Sequence, residues 1–319
     1  MRCLDVAVVD GRGRAVLVER AKPLPAADEV LVRVAASGTN RADLHQIAGQ
    51  YPPPPGEPGI LGLELSGTVE ESGERVCALV AGGGHAEYAS VPRGQLLPVA
   101  SALPLRDAAA IPEAFLTAYL NLVVEGGLAR GGRALVHAGG SGVGLAAIRT
   151  AKYLGASVAA TTRSGSKLDA LRRAGADVAI DSTAGSVAAA VERAWGRDAV
   201  DVVLDPVGAA TLADDLAVLR PGGRVVVIAT MSGARAEVDL ALLMRKRACL
   251  AGSTLRSRPR AEKARLVAGF RSDVWPGFES GALAPDVDAR YPPERAGEAF
   301  DRLRENRNTG KVLIDWTRG

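Results

Sequence analysis

The residues best placed to do chemistry in this sequence are small ones: His137-Ala138-Gly139-Gly140-Ser141-Gly142-Val143-Gly144, entered from Arg133-Ala134-Leu135-Val136 and leaving into Leu145-Ala146-Ala147-Ile148. A strand that ends in small residues and opens a helix leaves backbone N–H groups at the positive helix end, where a pyrophosphate can sit. Gly139, Gly140, Ser141, Gly142 and Val143 are therefore candidates for cradling a dinucleotide. Their spacing only approximates G-x-G-x-x-G, so the argument rests on context. Val143, Ala147, Ala151 and Leu154 recur at spacings of four, four and three, the buried stripe of a helix, and Gly155 stands where a left-handed cap ends it. A second short strand, 157–161, follows at once. The alternative is a glycine-rich turn without a ligand.

The end of that second strand should meet the adenosine ribose, where an NAD site carries Asp or Glu. This chain has Thr161-Thr162-Arg163-Ser164-Gly165-Ser166-Lys167 instead. Arg163, Lys167 and the hydroxyls of Ser164 and Ser166 can hold a 2′-phosphate through charge-assisted hydrogen bonds, which predicts NADPH rather than NADH, and Thr162 joins them as a candidate cofactor contact. Ser164 or Ser166 can also cap a helix, with Arg163 solvated; the two readings are compatible.

These candidates need a scaffold, and the pattern supplies one. Strand-like segments at 133–138, 157–161, 177–180, 200–204, 224–229 and 249–251 alternate with helical ones, which demands a parallel sheet with right-handed crossovers. We assign 117–257 to this doubly wound, Rossmann-like domain. The preceding part reads as β-rich, with strands at 6–9, 15–18, 30–35, 65–70, 74–80 and 86–91 broken by Gly and Pro turns, and Pro52-Pro53-Pro54-Pro55 as a stiff extended loop. Helical stretches at 261–271 and 293–305 precede a last strand, 311–315. The expected second domain is therefore 1–116 completed by 258–319.

Composition excludes other classes. The 319 residues are 47% hydrophobic, enough for a sizeable core. The 39 basic and 36 acidic residues are interspersed without a basic block, so nucleic acid is not an expected partner. Apolar runs are read as too interrupted to span a bilayer, and Met1-Arg2-Cys3-Leu4-Asp5 as lacking a signal-peptide core; the expected location is the cytoplasm. Cys3, Cys77 and Cys249 are odd in number and far apart, so buried thiols are expected rather than a disulfide or zinc framework.

Further motifs occur in a telling order: Asn40-Arg41-Ala42-Asp43-Leu44, Gly49-Gln50-Tyr51-Pro52, Gly62-Leu63-Glu64-Leu65-Ser66-Gly67, Gly73-Glu74-Arg75-Val76 and the glycine turn. With them the chain resembles the zinc-free quinone oxidoreductases of the medium-chain dehydrogenase/reductase superfamily over essentially its whole length. Leu255-Arg256-Ser257-Arg258 and Asn306-Arg307-Asn308-Thr309-Gly310-Lys311 make it most similar to the tumour-suppressor-inducible branch.

The resemblance implies a GroES-like catalytic domain beside the Rossmann-like one. It also implies that Asn40 and Leu63 stand where zinc alcohol dehydrogenases carry Cys and His ligands. Neither an amide nor an alkyl group supplies the N or S donor that catalytic zinc uses, so no metal is expected. Asn40 and Tyr51 are implied to face the nicotinamide and acceptor, and Asn308 and Lys311 to contact the cofactor. Asn40 can instead cap a helix opening at Arg41, and Tyr51 can simply pack in its loop. His45 departs from close relatives; it is either the proton donor or a structural residue. His85 and His137 are read as structural.

The implied activity is NADPH-dependent hydride transfer to a quinone or other conjugated carbonyl. An enoyl-thioester reductase is the nearest alternative, with Arg256, Arg258 and Arg260 as a candidate acyl-carrier surface, and a non-catalytic crystallin-like NADPH-binding protein is the second. The uncharged edge Cys249-Leu250-Ala251-Gly252-Ser253-Thr254 is expected to pair two copies into a homodimer.

Overall fold

The computed structural model describes residues 1–317 and divides into two compact units, Met1–Leu116 with Leu255–Gly319 and Thr117–Thr254. The first unit takes the chain back at Leu255 rather than at 258, the position read from sequence. Along it run β1 (Arg2–Val9), β2 (Arg12–Glu19), β3 (Glu29–Gly38), α1 (Arg41–Ile47), β4 (Glu64–Val69), β5 (Arg75–Leu79), β6 (Tyr88–Pro92) and β7 (Leu96–Pro98), leading into α2 (Pro112–Tyr119). The second unit holds β8 (Arg133–Val136), α3 (Gly142–Tyr153), β9 (Ser157–Thr162), α4 (Leu168–Ala174), β10 (Val178–Asp181), α5 (Val187–Trp195), β11 (Val200–Asp205), α6 (Leu212–Val218), β12 (Leu219–Val227), α7 (Leu240–Lys246) and β13 (Cys249–Gly252). The tail adds α8 (Arg260–Asp273), α9 (Trp275–Glu279), β14 (Val287–Tyr291), α10 (Ala296–Arg304) and β15 (Lys311–Asp315).

In the second unit the order β10-β9-β8-β11-β12-β13 is parallel throughout, and it reverses direction beside β8. Such a switch point opens a crevice beyond the strand ends, where the glycine turn lies. Val, Leu and Ala side chains of β8, β9, β11 and β12 are covered by α5 and α6 through Val187, Val191, Leu212 and Leu216. The near-continuous apolar strands follow from burial of both faces.

The first unit is mainly antiparallel, in the order β14-β15-β3-β4-β5-β7 with β6 also on β3. Val32, Leu65, Val76, Phe300, Ile314 and Trp316 share its core. The short strands β7 and β14 have no counterpart in the sequence reading; they have three and five residues and too little alternation to announce themselves. Register decides where function can lie. Leu313 pairs with Gly38, and Ser37 pairs with Leu65. The C-terminal end of β3 thus meets the starts of β15 and β4.

Two expectations change. The stretch Asp107–Val124 is long and apolar enough to cross a membrane by composition, but 78% of it is buried in the fold, as suits a core segment. Cys249 is exposed, whereas Cys3 and Cys77 are buried; β13 is an edge strand and has only one neighbour to cover it.

Candidate active site

The strand ends joined by that register carry Asn40, Glu64 and Lys311. Lys311 Nζ lies 2.5 Å from Glu64 Oε1 and donates to Asn40 Oδ1 at 2.6 Å and to the Thr39 carbonyl at 2.8 Å. Asn40 Nδ2 donates to Glu64 Oε1 at 3.0 Å and to the Gly38 carbonyl at 3.1 Å. The other carboxylate oxygen, Glu64 Oε2, accepts the backbone N–H of Glu113 at 2.8 Å. All three side chains belong to buried residues. Only glycine fits at position 38, since a Cβ there would stand 2.3 Å from Glu64 Oε1.

Asp43 extends the cluster. It accepts the Asn40 N–H at 2.7 Å, so Asn40 does open α1, but through its backbone; its side chain serves the ion pair. Asp43 also accepts the Gly62 N–H at 3.1 Å and faces His85 Nε2 at 3.5 Å. Trp316 Nε1 donates to Ser37 Oγ at 2.9 Å, and Ser37 Oγ meets His85 Nδ1 at 2.7 Å. Ser37 Oγ thus links the Trp316 indole to the His85 ring. His85 is a buried structural residue.

Tyr51 is half-buried beneath Arg256, whose guanidinium lies 5.2 Å from the ring centroid. Burial, then the nearby Glu113 charge, raise the Tyr51 phenol above its ordinary value, with Arg256 opposing. Arg256 is buried and donates to the Ala81 carbonyl at 2.7 Å, the Tyr51 carbonyl at 3.2 Å and Gln46 Oε1 at 2.7 Å. Arg260 binds Glu29 and Glu57, and Arg258 faces Glu262 at 3.7 Å. The three arginines are therefore engaged by different partners. His45 is exposed and meets Gln50 Oε1 at 3.2 Å.

The zinc positions do not fit a metal. Leu63 is buried alkyl, Asn40 Oδ1 already faces an ammonium, and the neighbouring carboxylate Glu64 is neutralised by that same ammonium. A divalent cation would have to displace Lys311. Lys311 is thus held inside this cluster, with Thr39, Asn40 and Glu64 around its ammonium. Asn308 is buried and donates to the Gly310 carbonyl at 2.7 Å, shaping the turn that leads into β15.

In the second unit the glycine turn has the form a pyrophosphate needs. Ala138 is left-handed at φ 51°, Gly139 N–H donates to the Thr161 carbonyl at 2.7 Å, and Ser141 caps α3 by accepting the Gly144 N–H at 3.0 Å. Gly142 and Val143 are the first two residues of α3. Lys167 lies over Gly140, where a Cβ would meet its Cδ at 2.8 Å. Arg163 is exposed just after β9, Thr162 is buried at its end, and Ser164 Oγ meets Ser166 Oγ at 2.9 Å rather than capping a helix. Turn, Arg163 and Lys167 fit a phosphorylated dinucleotide.

Behind the turn, His137 Nε2 meets Asp215 Oδ1 at 2.6 Å and Nδ1 meets Thr161 Oγ1 at 3.0 Å. Burial lowers the His137 value, but Asp215, Asp205 and Asp214 together raise it; burial pushes Asp215 up to about 6 against the pull of His137. The sequence reading missed Glu64, Asp43, Glu113, Asp215 and the buried role of Arg256. A carboxylate inside Gly62-Leu63-Glu64-Leu65 was the one signal that could have pointed to an internal ion pair.

The comparisons agree with this geometry. Residues 142–269 match the zinc-binding dehydrogenase family and residues 26–101 the alcohol dehydrogenase GroES-like domain. The quinone oxidoreductase of Thermus thermophilus, solved alone and with NADPH, is 33% identical, with a TM-score of 0.85 over 99% of this chain and 100% of that one. The Escherichia coli quinone oxidoreductase in complex with NADPH is 27% identical, with a TM-score of 0.83 over 94% and 95% of the two chains. The human quinone oxidoreductase is 28% identical across 92% of this chain and 91% of its own.

Lys311→Met would leave the Glu64 carboxylate buried and unpaired, a loss of about 3–5 kcal/mol. Urea unfolding should show that loss. The double variant Lys311→Met with Glu64→Leu should be the more stable of the two.

Proposed function

Because the chain belongs to the quinone oxidoreductases of the medium-chain dehydrogenase/reductase superfamily, we propose that it reduces a quinone or other conjugated carbonyl with NADPH and without zinc. The observation that carries this reading is the locked Asn40–Glu64–Lys311 cluster at the end of β3. An ammonium committed to an internal carboxylate gives no Lewis acid to stabilise an alkoxide, so alcohol oxidation has no support there. An electron-poor acceptor needs none.

Bound NADPH supplies a hydride. The protein supplies the rest: Ser141, Gly142 and Val143 offer the helix end to the pyrophosphate, and Arg163 with Lys167 offers cations to the 2′-phosphate. Tyr51 keeps its hydroxyl without a hydrogen-bond partner among the described residues, while Arg256 clamps its ring and its backbone. That hydroxyl suits an acceptor oxygen. Asn40 acts one step back, through Glu64 and Lys311. Against the enoyl-thioester alternative stands the separate pairing of Arg256, Arg258 and Arg260; nothing else observed favours it. The likeness to the tumour-suppressor-inducible branch rests on the Leu255-Arg256-Ser257-Arg258 and Asn306–Lys311 runs.

Purified protein mixed with NADPH should oxidise it in the presence of ortho-quinones, para-quinones or simple enones, and chelator should leave the rate unchanged. Turnover only with crotonyl thioesters favours the alternative, and turnover with none favours a binding protein.

Arg163→Ala or Lys167→Ala should weaken NADPH binding by about 1.5–3 kcal/mol, the worth of a charged hydrogen bond, and leave NADH binding nearly unchanged. Equal losses for both cofactors would assign these residues to folding.

We also infer a homodimer through β13. This strand is the last in its sheet, and Leu250 is 41% exposed with no charge beside it in Cys249–Gly252. Two such edges related by a two-fold axis satisfy each other's backbone groups. Sedimentation at micromolar concentration should give twice the chain mass, and Leu250→Pro should shift it to monomer or misfolded protein.

A further inference from the structure

We propose that Glu113 is the proton donor of the reduction, passing the proton of its carboxylic acid to the acceptor oxygen. This rests on the reading of function given above. Glu113 sits in the first turn of α2, and its own N–H is fixed on Glu64 Oε2 at 2.8 Å, against the Asn40–Glu64–Lys311 cluster. Its carboxyl makes no hydrogen bond or ion pair among the described residues, and the residue is only partly buried. It is therefore an acid with both carboxyl oxygens uncommitted among the described residues, unlike Asp43 and Glu64, whose oxygens are taken.

The charges around it explain why the proton stays. Burial first, then the charge of Glu64 on β4, push the Glu113 carboxyl up to about 8; Asp43 on α1 adds to this, while Lys311 on β15 and Lys263 on α8 oppose it. Two further groups feel Glu113 in turn: Tyr51 and Arg256. A carboxyl raised in this way, whose charge is felt by the candidate acceptor-binding phenol, is suited to general-acid work. Hydride addition closes a C–H bond on the acceptor and leaves the electron pair on its oxygen as enolate or phenolate. The Glu113 O–H bond then breaks, its proton forms the product O–H, and the carboxylate regains a proton from solvent. His45 is exposed and bonded to Gln50 in a different setting.

The test compares wild type, Glu113→Gln and Glu113→Asp with NADPH and both a simple enone and a para-quinone. With the enone, wild-type kcat should fall as pH rises through about 8, the acid being lost by ionisation. Glu113→Gln should lower kcat about 100-fold or more, abolish that inflexion and leave the KM for NADPH nearly unchanged, and Glu113→Asp should recover part of the rate and the pH dependence. Independently of turnover, infrared difference spectra of wild type against Glu113→Gln should contain a neutral-carboxyl band at pH 7 that disappears as pH rises through about 8. An active wild type whose Glu113→Gln variant keeps its kcat and pH profile overturns the assignment alone, as does absence of the band. A wild type that oxidises NADPH with neither acceptor overturns the reading of function beneath it.

Discussion

The first unit is organised around one buried ion pair. Lys311 at the start of β15 and Glu64 at the start of β4 are joined across the end of β3, with Asn40 bridging them. Burying two charges costs several kcal/mol each unless their remaining hydrogen-bonding positions are filled. Here they are filled: the ammonium has Thr39, Asn40 and Glu64, and the carboxylate has Asn40, Lys311 and the Glu113 N–H. These requirements fix the register of three strands and the entry of α2 together. A slip of one residue would turn every side chain of a strand to the opposite face and would leave both charges unpaired.

At the end of β3 the chain spends an ammonium on holding an amide and a carboxylate still. The positive charge is structural rather than electrophilic, because its partner neutralises it at 2.5 Å. At the margin of the cluster stand two groups left uncommitted among the described residues. Tyr51 has its hydroxyl uncommitted and Glu113 its carboxyl; both are partly buried, and a charge on Glu113 raises the Tyr51 phenol.

How legible this was depends on the range of the interaction. The glycine turn, its helix and the two flanking strands could be read because they lie within one stretch of chain and follow local rules. So could the alternating strand and helix pattern of 117–257. Lys311 and Asn40 are separated by 271 positions, and their contact arises only from the pairing of β15 with β3; no spacing in the sequence encodes it. From the sequence Arg256 reads, with Arg258 and Arg260, as a candidate acyl-carrier surface. Arg256 in fact sits where Ala81, Tyr51 and Gln46 converge, which tertiary packing alone determines. His137 was legible as structural, but Asp215, on a helix far along the chain, was not visible as its partner.

That second pair has a consequence for the cofactor-binding turn. His137 is the residue before Ala138, and it bonds Thr161 at the end of β9 on one side and Asp215 on α6 on the other. Thr161 in turn accepts the Gly139 N–H through its carbonyl. The glycine turn and the loop carrying Thr162 and Arg163 are therefore tied at one point. A left-handed Ala138 is costly for a residue with a Cβ, and such a conformation persists only when its surroundings over-determine it. The His137 bonds to Asp215 and Thr161 stand immediately before that residue, and the Gly139 N–H on the Thr161 carbonyl immediately after it, so Ala138 is held on both sides.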